Sequence, residues 1–460
     1  MNPPAHLIRP SRAVFGATTC WSRLAGACLL LYLCMLASFA TAGELRLQSQ
    51  RSQYALGPSL HYLQDTSGTL TIEQLRHPPP GKPFDWKPLS AEVPNFGYSL
   101  STYWFVTDVD HTEVLPEAWV LEVAYPLLDK VNVYFERDGK IFRYFHTGDY
   151  EPFANRPVDH RYFLFPLMLD KPGKTRIWMQ VASTGTIQLP ATLWRTSTFI
   201  EQDQRHSMLQ AIYIGMMAVM LLYNLFIMFS IRERSYAFYV AYVLVFTTTL
   251  MTLHGFTYQF IWPNSVWWQD KSMAFLVAGS VLCVALFTEH FLTLRQHRPR
   301  LSKILAVLAA ITGAVMLLSL FLPYSVMIRV AVLMALIIAS FSFIAGLMVA
   351  VKGERSGWFF VAAWGSFLIG IALLTLNKYG VLPRTWLTEY SIQLGSIFEV
   401  IVLSYALADR INSEKRARFQ AQQRALNEAQ QRQQAESRMV YHSLHDRLTG
   451  IPNQVALQVA

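Results

Sequence analysis

Charge is scarce in this 460-residue chain: Asp, Glu, Lys and Arg make up 15% of it, against about 25% in an ordinary soluble domain. The shortage is local, lying between about residue 209 and residue 407, while both ends and residues 44–206 have ordinary polarity. Cysteine is scarcer, with four in all. Cys20, Cys28 and Cys34 share one N-terminal apolar stretch, and only Cys283 remains. A disulfide-stapled scaffold is therefore excluded for residues 44–206, whose core must hold unaided. No long apolar run contains the lysine a retinal Schiff base needs, or the rows of charge of a pump or voltage sensor. The net charge of +9 does not point to a nucleic-acid partner, because Lys and Arg flank the apolar runs instead of clustering on one soluble face.

What fills the charge-poor region is a series of apolar segments near the ~20 residues that a helix needs to cross a ~30 Å bilayer core. Seven spans are expected, near Leu209–Ile231, Tyr236–Phe256, Met273–Leu294, Ile304–Leu322, Met327–Val351, Trp358–Leu376 and Thr388–Ala408. Ahead of them, Arg9, Arg12 and Arg23 precede an apolar run from Leu24 to Phe39, then Ala40-Thr41-Ala42. This is the form of a secretion signal cleaved after Ala42, with an uncleaved first helix as the alternative. Either way residue 43 onward is exported. An exported N-terminal domain puts the loops after spans 1, 3 and 5 in the cytoplasm. Those loops carry Arg232, Arg234, Arg295, Arg298, Arg300, Lys303, Lys352 and Arg355, and the opposite loops carry Lys271, Lys378 and Arg384, as the positive-inside rule requires. Membrane lipid is thus an expected partner.

Residues 43–206 read as an all-β domain. Strand-like runs at Trp119–Val123, Lys130–Phe135, Tyr162–Phe165 and Arg176–Val181 are separated by Asp138-Gly139 and Pro172-Gly173 turns. About eight such strands fit a jelly-roll-like β-sandwich. Asp108-Val109-Asp110-His111 is acidic enough to raise a metal, but no second cluster stands at ligand spacing, so none is expected.

A family resemblance rests on Gly57-Pro58-Ser59-Leu60, the run Asp65 to Ile72, Ser101-Thr102-Tyr103-Trp104, Tyr125-Pro126-Leu127-Leu128-Asp129 and Gly148-Asp149 followed by Asn155-Arg156-Pro157. These pieces resemble the extracellular domain of bacterial seven-transmembrane receptors with diverse intracellular signalling modules. The segments from Gly215 to Tyr236 and from Gly395 to Asn412 are similar to the first and last helices of the same receptors. The resemblance implies a periplasmic jelly-roll sensor for a small ligand, one that is carbohydrate-like or bears carboxylate or hydroxyl groups. Candidate ligand contacts are Tyr103 and Trp104, stacking on an apolar ligand face, and Asp129, Arg156 and His160, orienting the ligand. Core packing and loop tethering are the structural alternative for all five.

Glu399 stands near the middle of the seventh span, where a carboxylate costs about 2.5–3.5 kcal/mol to insert. Asn224, His254 and Asn377 are its candidate partners, and its role is either a signalling switch or helix glue. Past Asp409 the chain turns to Arg, Gln, Glu, Ala, Lys and Asn without Gly or Pro up to Arg438. That predicts one helix continuing from span 7, over 409–441. Asn412, Phe419, Leu426, Gln433 and Val440 fall seven apart, while Lys415, Gln422, Ala429 and Glu436 make a poor second seam. The pattern predicts a marginal parallel homodimer through a cytoplasmic coiled coil, with a solvated single helix as the alternative.

Residues 442–460 carry the last motif. Leu444-His445-Asp446-Arg447-Leu448-Thr449-Gly450-Ile451-Pro452-Asn453-Gln454 resembles the opening of GGDEF domains, the diguanylate cyclases that make cyclic di-GMP from GTP, with Gln454 where arginine is usual. The resemblance implies that Asp446 and Asn453 belong to a docking element; the catalytic residues would lie beyond Ala460, so this stretch needs no cofactor. Magnesium and GTP are expected only of a complete cyclase. The chain is thus expected to be a multi-domain inner-membrane receptor that relays a periplasmic ligand through seven helices and a coiled coil. A transporter or channel subunit with a β-domain cap, and a truncated binding module, are the alternatives.

Overall fold

The computed structural model describes residues 45–444 except 49, 82, 113–116, 379–381 and 383–384, together with residue 451. The signal segment with Cys20, Cys28 and Cys34, and the stretches that hold Asp446 and Asn453, lie outside the described residues. Two compact units are present: the chain up to Arg205 joined by Met251–Asp270, and His206–Leu250 joined by the chain from Lys271 onward.

Period-two alternation builds the first unit. Its strands are β1 (Leu45–Arg46), β2 (Gln53–Ala55), β3 (His61–Asp65), β4 (Lys87–Pro88), β5 (Asn95–Tyr98), β6 (Thr102–His111), β7 (Trp119–Val123), β8 (Lys130–Arg137), β9 (Lys140–Thr147), β10 (Phe163–Leu167), β11 (Gly173–Ala182), β12 (Thr186–Gln188) and β13 (Ala191–Arg195). One sheet runs β4-β3-β6-β11-β8-β9 with β1 beside β6, and the other runs β10-β7-β13-β2; β12 and β5 form a ribbon. Inward residues such as Phe105, Val133, Met179, Leu121, Phe165 and Leu193 make the core of this β-sandwich. Among the described residues thirteen strands replace the expected eight or so, because several have only two or three residues, too few for alternation to show. The expected Asp138-Gly139 turn joins β8 to β9, with both residues at positive φ, 51° and 69°, the conformation a two-residue hairpin favours.

Several residues behind the family resemblance are structural. Asp65 accepts hydrogen bonds from the backbone of Ser67, Gly68 and Leu70 and from the Ser67 hydroxyl. Burial pushes its carboxyl up, but these bonds outweigh it and hold the group below the usual range. Thr71 and Gln74 then form a capping box for helix α1 (Ile72–Arg76), which lies on the outer face of the large sheet. A side chain at Gly148 would run into the Asp129 carbonyl.

The remaining helices are α2 (Thr196–Ile231), α3 (Arg234–Leu253), α4 (Phe256–Phe260), α5 (Val266–Phe291), α6 (Leu294–His297), α7 (Pro299–Leu318), α8 (Tyr324–Ala350), α9 (Arg355–Lys378), α10 (Trp386–Glu389) and α11 (Ser391–Leu444). Seven of them, α2, α3, α5, α7, α8, α9 and α11, are long and apolar enough to cross a membrane. Of the boundaries that differ from the sequence reading, two bear on the sandwich. Helix α2 starts at Thr196 and not near Leu209, because its polar first turns are held by the sandwich. Helix α3 ends at Leu253, with Gly255 in the left-handed region at φ 81° before α4. The expected continuation of span 7 is present: α11 has 54 residues, about 80 Å of unbroken helix.

Candidate functional site

In the sandwich unit, the residues that do most besides packing lie in the loop from Gly148 to Tyr162. This loop touches two segments that carry the chain toward the membrane helices: the first turns of α2, and Met251–Asp270, which sequence reasoning assigned to the membrane block. On the first side, Arg161 donates to the Asp203 carboxylate at 2.6 Å and the His160 Nε2 stands 3.1 Å from the same oxygen. Phe199 packs against Val120 and Leu164. On the second side, the Tyr258 hydroxyl donates to the Glu151 carbonyl at 2.6 Å, Gln259 to Asp159 at 3.2 Å, and the Phe153 amide to the Pro263 carbonyl at 3.3 Å. Tyr150 donates to Asp270 at 2.9 Å. The Arg156 guanidinium stacks within 4.4 to 5.7 Å of the ring centres of Phe163, Phe153 and Tyr258.

This loop encloses a charged cluster. Asp129 accepts from the Thr184 amide at 2.8 Å and the Ser183 hydroxyl at 3.1 Å. Burial pushes the Asp149 carboxyl well above its usual range, the neighbouring Asp129 pushes further, and Arg156 offsets part of this. Asp129 is raised by burial as well, and burial draws Arg156 down to about 10. The folded-state pKa of Asp149 lies above its unfolded value, so the folded unit holds a proton that the unfolded chain releases. That contribution to stability is fully present below the unfolded carboxylate pKa of about 3.9 and is lost as pH rises through the elevated folded value. Asp149→Asn is therefore expected to leave the fold intact and to remove this slope. In melting curves from pH 4 to 8, the variant should gain on the wild type as pH rises; parallel curves would count against a proton on Asp149.

The structure places the five expected ligand contacts as follows. Tyr103 and Trp104 are buried on opposite faces of β6, Tyr103 in the sandwich core and Trp104 under α1, so they cannot form one stacking surface; adjacent strand residues point to opposite faces. Asp129, Arg156 and His160 are engaged in the loop just described: Arg156 donates to the carbonyls of His160 and Arg161 at 2.9 and 2.6 Å, and the His160 Nδ1 accepts from the Tyr162 amide. A second group lies on the outer face of the large sheet, buried at Asn132 and Gln180 and exposed at its edge. Asn132 donates to Gln180 at 2.8 Å, and beside this pair the rings of Tyr134, Tyr144 and His146 lie 5.3 to 6.5 Å apart. Tyr144 and His146 are exposed. The alternation in β8, which sends Asn132 and Tyr134 to one face, was the signal for this group.

The membrane unit has a polar seam of its own. Helices α2 and α11 are joined by His206 to Tyr390, Gln210 to Gln393 at 2.8 Å, Tyr213 to Ser396 at 3.0 Å and Asn224 to Ser404 at 2.9 Å. The numbers rise together, so the two helices run parallel. Glu399 is fully buried beside this seam and accepts from the Tyr242 hydroxyl of α3 at 3.1 and 3.0 Å. The expected partners Asn224 and Asn377 bond elsewhere, to Met220 and Ser404 and to Thr388. Tyr239 donates to the Val400 carbonyl at 2.6 Å. Tyrosine hydroxyls supply this network, and in an apolar run they read as aromatic filling. Beyond the span, Asn412, Phe419 and Leu426 are exposed on α11.

These features define a class: a β-sandwich followed by seven helices able to cross a membrane. Residues 206–410 match the family described as 7TM diverse intracellular signalling, and residues 57–195 match the one described as 7TMR-DISM extracellular 2. Two stretches of the chain are thus similar to the membrane and extracellular domains of one receptor family, in the order that the sandwich and the seven apolar helices take here. None of the curated proteins is significantly similar to it.

Proposed function

We infer that the chain is a signal-transducing receptor in which ligand binding at the sandwich moves the 148–162 loop. The loop then shifts α2 and the 251–270 segment, and α11 carries the change to a cytoplasmic output. The observation that carries this reading is the loop's double engagement, with Arg161 and His160 on Asp203 of α2 and Tyr258, Gln259 and Pro263 on the other side. In this reading α2 is the input helix and α11 the output helix. A ligand shifts such an equilibrium only through a difference in affinity between its states, typically about 1–3 kcal/mol of coupling.

The ligand is a small hydroxylated, carbohydrate-like molecule. The supporting features are the Asn132–Gln180 amide pair and the Tyr134, Tyr144 and His146 rings, a combination of stacking faces and directional polar groups suited to such a molecule. The output is a GGDEF diguanylate cyclase, reached through a parallel dimer of the α11 tail in the cytoplasm of a bacterial cell. Its support is the resemblance of residues 444–454, and magnesium and GTP would serve that domain alone.

The input is tested by thermal shift of the full chain in detergent with a panel of mono- and oligosaccharides. A saccharide should raise the melting temperature, and Tyr144→Ala with His146→Ala should abolish the shift. A shift that survives both substitutions would move the ligand elsewhere. The output is tested by reading the coding sequence past residue 460 for the cyclase's catalytic signature.

A further inference from the structure

Helix α11 packs into its own bundle through Glu399, Leu403, Ser404 and Leu407, all buried. Its opposite face is largely open, with the Tyr405 ring met at one edge by Phe359 of α9. There Phe398 and Tyr405 are 50% and 60% exposed, and Phe419 and Leu426 are 60% and 63% exposed. With Asn412 these residues fall seven apart along one unbroken helix, from the membrane-spanning part into the tail. Ile401, also exposed, takes the second seam position in the span.

We propose that a second copy of this chain covers that stripe, and that the interface between the copies begins inside the membrane at Phe398 and continues to Leu426. The proposal rests on the dimeric-tail reading above and extends it into the bilayer. Two observations select this occupant. A straight helix drifts ~20° per heptad from a strict seven-residue repeat, so a stripe kept over four heptads follows the left-handed winding of two paired helices. Lipid covers only the upper half. From Asn412 to Met439 every described side chain is exposed, and Phe419 and Leu426 stand there among amides and charges where neither lipid nor the chain's own bundle reaches. One occupant lying along the whole line is another α11.

The two halves of the interface differ in strength. Lys415 takes the second seam position in the tail, where two like charges would meet across a parallel pair. The tail is therefore the adjustable part, and the membrane half, with Phe398, Ile401 and Tyr405, holds the copies together.

The test is oxidative cross-linking of the full chain in native membrane vesicles, with the four native cysteines replaced by serine. Single cysteines are placed at Phe398, Tyr405, Phe419 and Leu426, with Leu336 on the exposed side of α8 and Arg424 off the stripe as controls. Disulfide-linked dimer is expected at all four stripe positions, at least fivefold above both controls. Cross-linking at Phe419 and Leu426 alone would overturn the membrane half and leave the dimeric tail standing. Absence of cross-linking throughout would overturn both, and equal cross-linking at Leu336 would mark collision in the bilayer and overturn the interface. Phe398→Ala with Tyr405→Ala checks the same point without a cysteine: the dimer fraction by single-molecule photobleaching should fall at least twofold, and an unchanged fraction would contradict the proposal.

Discussion

Tyr242→Phe is expected to destabilise the membrane unit by about 1–3 kcal/mol, the cost of leaving a buried polar group without its donor. The phenol donates to both oxygens of Glu399, which is fully buried. The loss of one oxygen atom leaves a carboxyl facing an apolar ring. Glu399→Met in the same chain removes the orphan, so the double variant should recover most of the stability, giving a coupling energy of the same size. The measurement is a double-mutant cycle of unfolding in detergent or bicelles. Additive losses would show that the two side chains do not support one another.

Gly255→Ala is the second large effect. Gly255 has φ 81°, and an added Cβ would stand 2.8 Å from the Arg161 carbonyl oxygen and 3.0 Å from the Pro126 side chain. Left-handed backbone costs an L-residue about 1–2 kcal/mol, and overpacking adds about 1–3 kcal/mol. The sandwich core has no part in this contact, so the strain falls on the seating of residues 251–270. Hydrogen exchange of the full chain should show faster exchange in that segment and unchanged protection in β6, β8 and β11. Unchanged protection in 251–270 would mean that the segment is held by something other than its fit against Arg161.

Much of the fold was legible in the sequence, for identifiable reasons. The seven helices announced themselves by length and apolarity, and Trp119–Val123 and the Asp138-Gly139 turn by β-branched residues and turn chemistry. Where packing overrides local pattern, legibility ended. Thr196 to Arg205 falls inside the expected all-β domain, yet it is helix, anchored to the sandwich by Phe199 and Asp203. Met251 to Asp270 is contiguous with two spans and folds with the sandwich. Arg156 and His160 were singled out from the sequence, but their engagement within the 148–162 loop depends on contacts that no local window contains. Tyr103 and Trp104 are neighbours in sequence and lie on opposite faces of one strand.

The parallel path from α2 to α11 requires an odd number of crossings with the sandwich outside and the α11 tail inside. Labelling single cysteines with a membrane-impermeant maleimide tests this directly, using Asp138→Cys at the exposed β8–β9 turn and Gln423→Cys on the exposed tail in the cysteine-free background. The expected result is modification of position 138 in cells whose inner membrane is intact, with position 423 reacting only once that membrane is opened. Modification of both positions from the same side would contradict the account.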